Sequence, residues 1–149
     1  MPAKGSFSSA PARASFSLRI VSPFAAVAAM FFAFGFGLGL WSGAAATVLS
    51  RIGVGAGAYG VALTLFTGAY LFAMSSAGAL SRRLTVKRVL IASALTIAPL
   101  LAWLLLVESP LALFAALTVY GFFGGMVDLT MNAAGARIER GLGRPILAR

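Results

Sequence analysis

Four long runs of apolar residues, separated by short polar connections, dominate the pattern of the chain. They cover residues 24–49, 58–80, 89–107 and 111–134. The first run has no charged side chain, and its 26 residues would reach about 39 Å as a helix, enough to cross the ~30 Å hydrocarbon core of a bilayer. The pattern therefore predicts an all-α fold, a polytopic transmembrane bundle of four helices within residues 23–136.

The connections between the runs are short. Glu108-Ser109-Pro110 joins the third and fourth runs, and it offers a serine suited to cap a helix and a proline suited to its first turn. So short a connection predicts that helices three and four lie antiparallel and adjacent. The glycine-rich segment 50–57 predicts the same arrangement for helices one and two.

The composition supports a membrane environment and narrows the chemistry. Sixty per cent of the residues are hydrophobic and 10% are charged, whereas a soluble domain carries about 25% charged residues. Cysteine and histidine do not occur, and the only acids are Glu108, Asp128 and Glu139. The hydrophobic composition predicts the lipid bilayer as a partner. Because the inventory offers no acid/base pair, metal-ligand set or cofactor motif, we expect no metal or cofactor and no enzymatic activity.

The net charge of +9 is distributed unevenly. Basic residues fall in the tails 1–22 and 137–149 and in the loop between helices two and three, while Arg51 alone falls on the other side. The positive-inside rule then predicts a multi-pass protein of the plasma or inner membrane with both termini cytoplasmic. This placement explains the charge without a nucleic-acid partner. The loop carries four basic residues: Arg82, Arg83, Lys87 and Arg88.

Glycines recur at helical spacing in two of the runs. Membrane helices pack through small residues, so these glycines are candidate packing positions. A seam of this kind would also let helices slide during transport, and the sequence leaves both interpretations open. The two stripes are Gly35, Gly39 and Gly43 in helix one, and Gly121 and Gly125 in helix four.

Asp128 is an acid inside an apolar run. A carboxylate at such a position costs about 2.5–3.5 kcal/mol and usually faces a bundle interior or a water-filled path. Asn132 follows one turn later on the same face, and with Trp41 these residues are candidates for a transport path. Asp128 is also explained by a structural polar contact or a position near the headgroups, and Trp41 by packing. Three tyrosines could add hydroxyl groups: Tyr59, Tyr70 and Tyr120.

A more specific resemblance begins at the loop between helices two and three, which reads Gly78-Ala79-Leu80-Ser81-Arg82-Arg83-Leu84-Thr85-Val86-Lys87-Arg88. It resembles the cytoplasmic loop motif of the major facilitator superfamily in its glycine, its arginine and its basic end. The stretch from Tyr120 to Gly135 is similar to helix four of a bacterial branch of that family. The resemblance implies a secondary transporter of a small solute, with two six-helix halves, and leaves proton coupling through Asp128 open.

The resemblance covers only four of twelve helices, so we expect the chain to be part of a longer transporter. Its partners would be the missing C-terminal helices or a self-associated copy, an unidentified small solute and, in a coupled mechanism, protons. Two other interpretations stay open. One is a small four-helix exporter that works as a homodimer, and the other is a four-helix membrane scaffold or accessory subunit.

Overall fold

The structure is a computed structural model that describes residues 23–142, and this part of the chain folds into four helices. Each is long and apolar enough to cross a membrane, which confirms the predicted all-α class with four helices. The tail 1–22 and residues 143–149 of the C-terminal tail lie outside the described residues. The helices are α1 (Pro23–Arg51), α2 (Ala56–Arg83), α3 (Val86–Leu105) and α4 (Pro110–Leu142).

The helices start and end within three residues of the apolar runs, except at the end of α4. The third run extends to residue 107, but α3 ends at Leu105. The fourth run ends near residue 134, whereas α4 continues to Leu142 and takes in the start of the predicted C-terminal tail. Hydropathy marks the apolar part of a helix only. Alanine, arginine and glutamate, which fill the last turns of α4, are good helix formers and carry the helix onward.

Local chemistry accounts for the tight turns between helices. The Ser109 hydroxyl oxygen accepts a hydrogen bond from the Ala112 N–H at 3.2 Å, so the expected cap and the proline at the first helical position are both found at the start of α4. Thr85 caps α3 in the same way, through the Arg88 N–H at 3.4 Å. Gly53 turns the chain between α1 and α2 at φ +67°, a left-handed conformation that favours glycine.

The bundle is arranged around α4. Half of the apolar stretch of α4 is buried inside the bundle, against 11–17% for the other three helices. It packs most extensively on α2 and next on α3, while α1 lies against α3 and α4. Helices α1 and α2 touch only marginally, which differs from the side-by-side packing expected from their short connection. The connection sets their opposite directions, but α2 packs on α4 instead.

Large apolar side chains point away from the bundle on every side. Phe32, Leu95, Leu106 and Leu111 are each more than 70% exposed. Surfaces of this kind on all helices suit a hydrocarbon solvent, in which apolar side chains need no protein partner. The largest buried cluster lies toward the end of the bundle where α1 and α3 end and α4 begins, and it includes Leu104, Leu113 and Leu117.

Arg51 joins α1 to α3 at this end of the bundle. Its Nη2 atom donates hydrogen bonds to the carbonyl oxygens of Leu105 at 2.7 Å and Val107 at 3.0 Å. The last carbonyls of a helix lack partners within the helix and carry the negative end of its dipole. The one basic residue predicted on this side of the membrane therefore satisfies the C-terminal end of α3.

Candidate functional site

Helix α4 approaches α2 closely at two glycines. A Cβ atom on Gly121 would overlap the carbonyl oxygen of Phe66, and one on Gly125 would overlap that of Tyr70. Only a residue without a side chain fits against a neighbouring backbone in this way. The structure thus places both of these candidate packing residues in a seam between two helices.

The glycine stripe of α1 lies in a different environment. A Cβ atom on Gly35, Gly39 or Gly43 would have nothing within 4 Å, so this stripe forms no seam in the described part of the chain. The reason is that α1 packs through its opposite face. That face carries Gly37, Trp41, Ala45 and Val48, all buried and also spaced by three or four residues.

A polar cluster lies at the α2–α4 contact. The Tyr70 hydroxyl donates a hydrogen bond of 2.6 Å to Oδ2 of Asp128. The Asn132 side-chain N–H group donates to Oδ1 of Asp128 and to the Asp128 carbonyl oxygen, both at 2.9 Å. Each carboxylate oxygen therefore has a neutral donor. The structure brings together the two polar candidates of α4 and adds one of the three tyrosines.

The position of Tyr70 fixes the depth of this cluster. Tyr70 lies 14 residues after Ala56 and 13 before Arg83, at the middle of α2 and about 20 Å from either helix end. Its hydrogen bond holds the Asp128 carboxylate at the same level. A group at this depth is far from the lipid headgroups. A carboxylate at the centre of a membrane helix costs about 2.5–3.5 kcal/mol. Two neutral hydrogen bonds offset part of this cost but leave the charge itself unbalanced.

The face of α4 that carries the cluster lies between α1 and α2. A Cβ atom on Gly124, one turn before Asp128, would contact the ring of Tyr70 on α2 at 3.5 Å and that of Phe34 on α1 at 3.8 Å. Since α1 and α2 hardly touch each other, they flank this face without closing over it. Asp128 is half-buried and Asn132 is exposed, so the cluster can be reached from outside the bundle.

Trp41 lies elsewhere, in the large apolar core with Leu104 and Tyr120. Its side chain is 6% exposed, and its indole N–H has no hydrogen-bond partner among the described residues. The structure therefore separates Trp41 from Asp128 and Asn132. A neighbouring cavity of about 220 Å³ between α1, α3 and α4 has an almost wholly apolar lining, which includes Gly37 and Tyr120 but excludes Trp41.

The basic loop motif forms the turn between α2 and α3. Arg82 and Arg83 end α2, where positive charge suits the helix dipole. Lys87 and Arg88 lie in the first turn of α3, where the dipole opposes them. All four are exposed. A Cβ atom on Gly78, one turn before Arg82, would have no described atom within 4 Å. Leu80 of the motif packs against a small buried cluster formed by α2, α3 and α4, whereas the four basic side chains do not contribute to that cluster.

Taken together, these features define a multi-pass helical membrane protein with a polar cluster at the contact between α2 and α4. Among residues 23–142, no three histidine, cysteine, aspartate or glutamate side chains come together as a metal site would require. No protein-family model, curated protein or solved structure matches the chain.

Proposed function

We propose that the protein takes part in the transport of a small solute across a membrane, and that Asp128 is the group the solute or a coupling proton contacts. The observation that carries the proposal is a reachable carboxylate at mid-depth, held by Tyr70 and Asn132. Intramembrane acids in such positions mark solute and proton pathways. The function proposed is transport, without catalysis.

The resemblance to the major facilitator superfamily stays part of this proposal. It is supported by the position of the loop motif, which forms the turn between the second and third helices. It is supported as well by the location of Asp128 on the helix that packs against the others. Under this proposal the chain works with further helices or with another copy of itself.

We also propose that both termini face the cytoplasm across the plasma or inner membrane. The distribution of exposed charge supports this orientation. Within residues 23–142, six exposed basic residues lie at one end of the bundle, and the one basic residue at the other end is engaged by carbonyl oxygens. An excess of basic residues marks the cytoplasmic side. The six residues are Arg82, Arg83, Lys87, Arg88, Arg137 and Arg140.

Proton movement in liposomes tests the role of Asp128. The full chain is reconstituted into liposomes that contain a pH-sensitive dye, and small solutes of different charge are added outside. At least one solute should evoke proton movement with the native protein, and Asp128→Asn should abolish it. Glu108→Gln is the matched control, because it removes one carboxylate from the exposed α3–α4 connection and should leave proton movement unchanged.

Two results would contradict the proposal. Proton movement that persists in Asp128→Asn would remove Asp128 from the coupling step. Absence of movement with every solute, together with a membrane protein that co-purifies with this chain, would favour the accessory-subunit interpretation instead.

A further inference from the structure

Within the described residues 23–142, no basic side chain lies in the apolar spans around Asp128. The sequence has no lysine or arginine between Arg51 and Arg82, or between Arg88 and Arg137. The nearest basic residue along α4, Arg137, is about 13 Å away at the helical rise. Tyr70 and Asn132 donate hydrogen bonds but bring no charge. The site is therefore electrostatically incomplete and would be completed by a proton or by a bound cation.

Aromatic rings continue the site along the seam. The rings of Phe66 and Tyr70, both half-buried, lie 5.9 Å apart between centroids. Phe34 approaches the same face of α4 from α1. The faces of aromatic rings carry negative potential and attract cations, most strongly where water is excluded. An apolar body would also find contact area on these rings.

The donor set disfavours a small metal cation. Calcium takes six to eight oxygen ligands and magnesium about six in strict octahedral geometry. Asp128 already accepts hydrogen bonds at both oxygens, and among the described residues its side-chain partners are Tyr70 and Asn132. One carboxylate next to aromatic rings suits an organic cation with a diffuse charge far better.

We infer that this site binds a monovalent organic cation with an apolar body, which resides on the rings of Phe66 and Tyr70 in α2 while its charge pairs with Asp128. The inference rests on the proposed function where it identifies the transported solute as an organic cation. As a binding site, it stands on the uncompensated carboxylate and its aromatic neighbours. A proton and the cation would occupy Asp128 in turn.

The test uses tetraphenylphosphonium as a probe, with the full chain in nanodiscs of zwitterionic lipid. Binding is measured by titration calorimetry and compared with tetraphenylborate, an anion of the same shape. Native protein should bind the cation in preference to the anion, and Asp128→Asn should weaken cation binding at least about tenfold because it removes the charge pair. Asp128→Glu should retain binding, and Glu108→Gln should leave it unchanged.

Asp128→Asn is a mild change, since its amide oxygen can still accept the hydrogen bond of Tyr70. Far-UV circular dichroism checks that each variant keeps its helices. Equal binding of the cation by native protein and Asp128→Asn, or equal binding of cation and anion, would overturn the inference. If Asp128→Asn abolishes proton movement in liposomes but leaves cation binding intact, the inference about the cation is wrong and the proposed transport function stands. Cation binding that depends on Asp128 without any solute-driven movement would keep the site and refute transport.

Discussion

Helices α1 and α4 are both rich in glycine at intervals of three or four residues, yet they pack in opposite ways. The Gly121 and Gly125 positions of α4 lie against the backbone of α2, whereas the stripe that includes Gly35 and Gly39 in α1 contacts no other helix within residues 23–142. Spacing identifies a common face of a helix. Whether that face has a partner depends on the neighbouring helix, and α2 approaches only α4 closely.

The two helices also differ in what holds them. Helix α4 joins α2 through backbone proximity and a polar cluster that includes Tyr70 and Asp128. Helix α1 is held by bulky side chains in its second half, such as Trp41 and Val48, and by Arg51 at its end. Close approach therefore dominates one contact and side-chain packing the other, and substitutions can separate the two.

The largest effect should come from adding methyl groups to the α4 seam. We expect Gly121→Ala with Gly125→Ala to destabilise the bundle by about 1–3 kcal/mol, because each Cβ atom must displace the backbone of α2. Unfolding in mixed detergent and SDS micelles, followed by circular dichroism, measures this. The control is Gly35→Ala with Gly39→Ala, which should change stability by less than about 0.5 kcal/mol. Equal losses from both pairs would remove the distinction between the helices.

A smaller effect is expected at the end of α1. Arg51→Gln should destabilise the bundle by about 1 kcal/mol, because the carbonyl oxygens of Leu105 and Val107 lose a charged donor at a partly exposed site. The same unfolding experiment applies. Arg82→Gln removes an exposed arginine from the opposite end of the bundle and should have little effect. A similar loss in both variants would mean that Arg51 acts through net charge alone.

The hydrogen bond between α2 and α4 should contribute less still. Tyr70→Phe removes the donor to Asp128 and should cost about 0.6 kcal/mol, the average measured for hydrogen bonds between membrane helices. Tyr59→Phe makes the same change on the same helix, at a side chain that packs against the apolar core, and should be close to neutral. The difference in unfolding free energy between the two variants isolates the bond, and a difference of zero would show that it adds nothing to stability.

The smallest effect is expected where α1 does bury a glycine. A Cβ atom on Gly37 would meet the Tyr120 hydroxyl at 3.4 Å and a Leu101 methyl at 3.6 Å, which are ordinary contacts. Gly37→Ala should therefore change stability by less than about 0.5 kcal/mol. A loss as large as that of the α4 pair would show that α1 too depends on close approach.

Much of the fold follows from the sequence. The length and hydropathy of four runs predict four membrane-spanning helices, and Ser109-Pro110 predicts the start of α4. The partner of each helix does not follow, because lipid-facing and protein-facing surfaces are equally apolar in a membrane protein. The opposite face of α1 is periodic too, with Gly37, Trp41, Ala45 and Val48. The sequence favours the all-glycine face instead, because small residues are the usual sign of a packing face in membrane helices.

The candidate site is partly visible in the sequence. Asp128 and Asn132 are visible because polar residues are rare in the apolar runs and these two lie one turn apart. Tyr70 cannot be chosen from among three tyrosines, since its contact with Asp128 joins residues 58 positions apart and depends on how α2 meets α4. The same long-range packing separates Trp41 from the polar cluster.

The marginal contact between α1 and α2 has a consequence for biosynthesis. A nascent membrane protein delivers its helices to the bilayer in sequence order, and neighbouring helices often associate as hairpins. Here α1 and α2 hardly contact each other, because α1 packs on α3 and α4, whereas α2 packs chiefly on α4. Helix α1 can pack on α3 once α3 is inserted, but α2 lacks most of its packing surface until α4 has been synthesised. Assembly of these four helices is therefore completed by α4, and a substitution at its contact with α2 acts on the last step of that assembly.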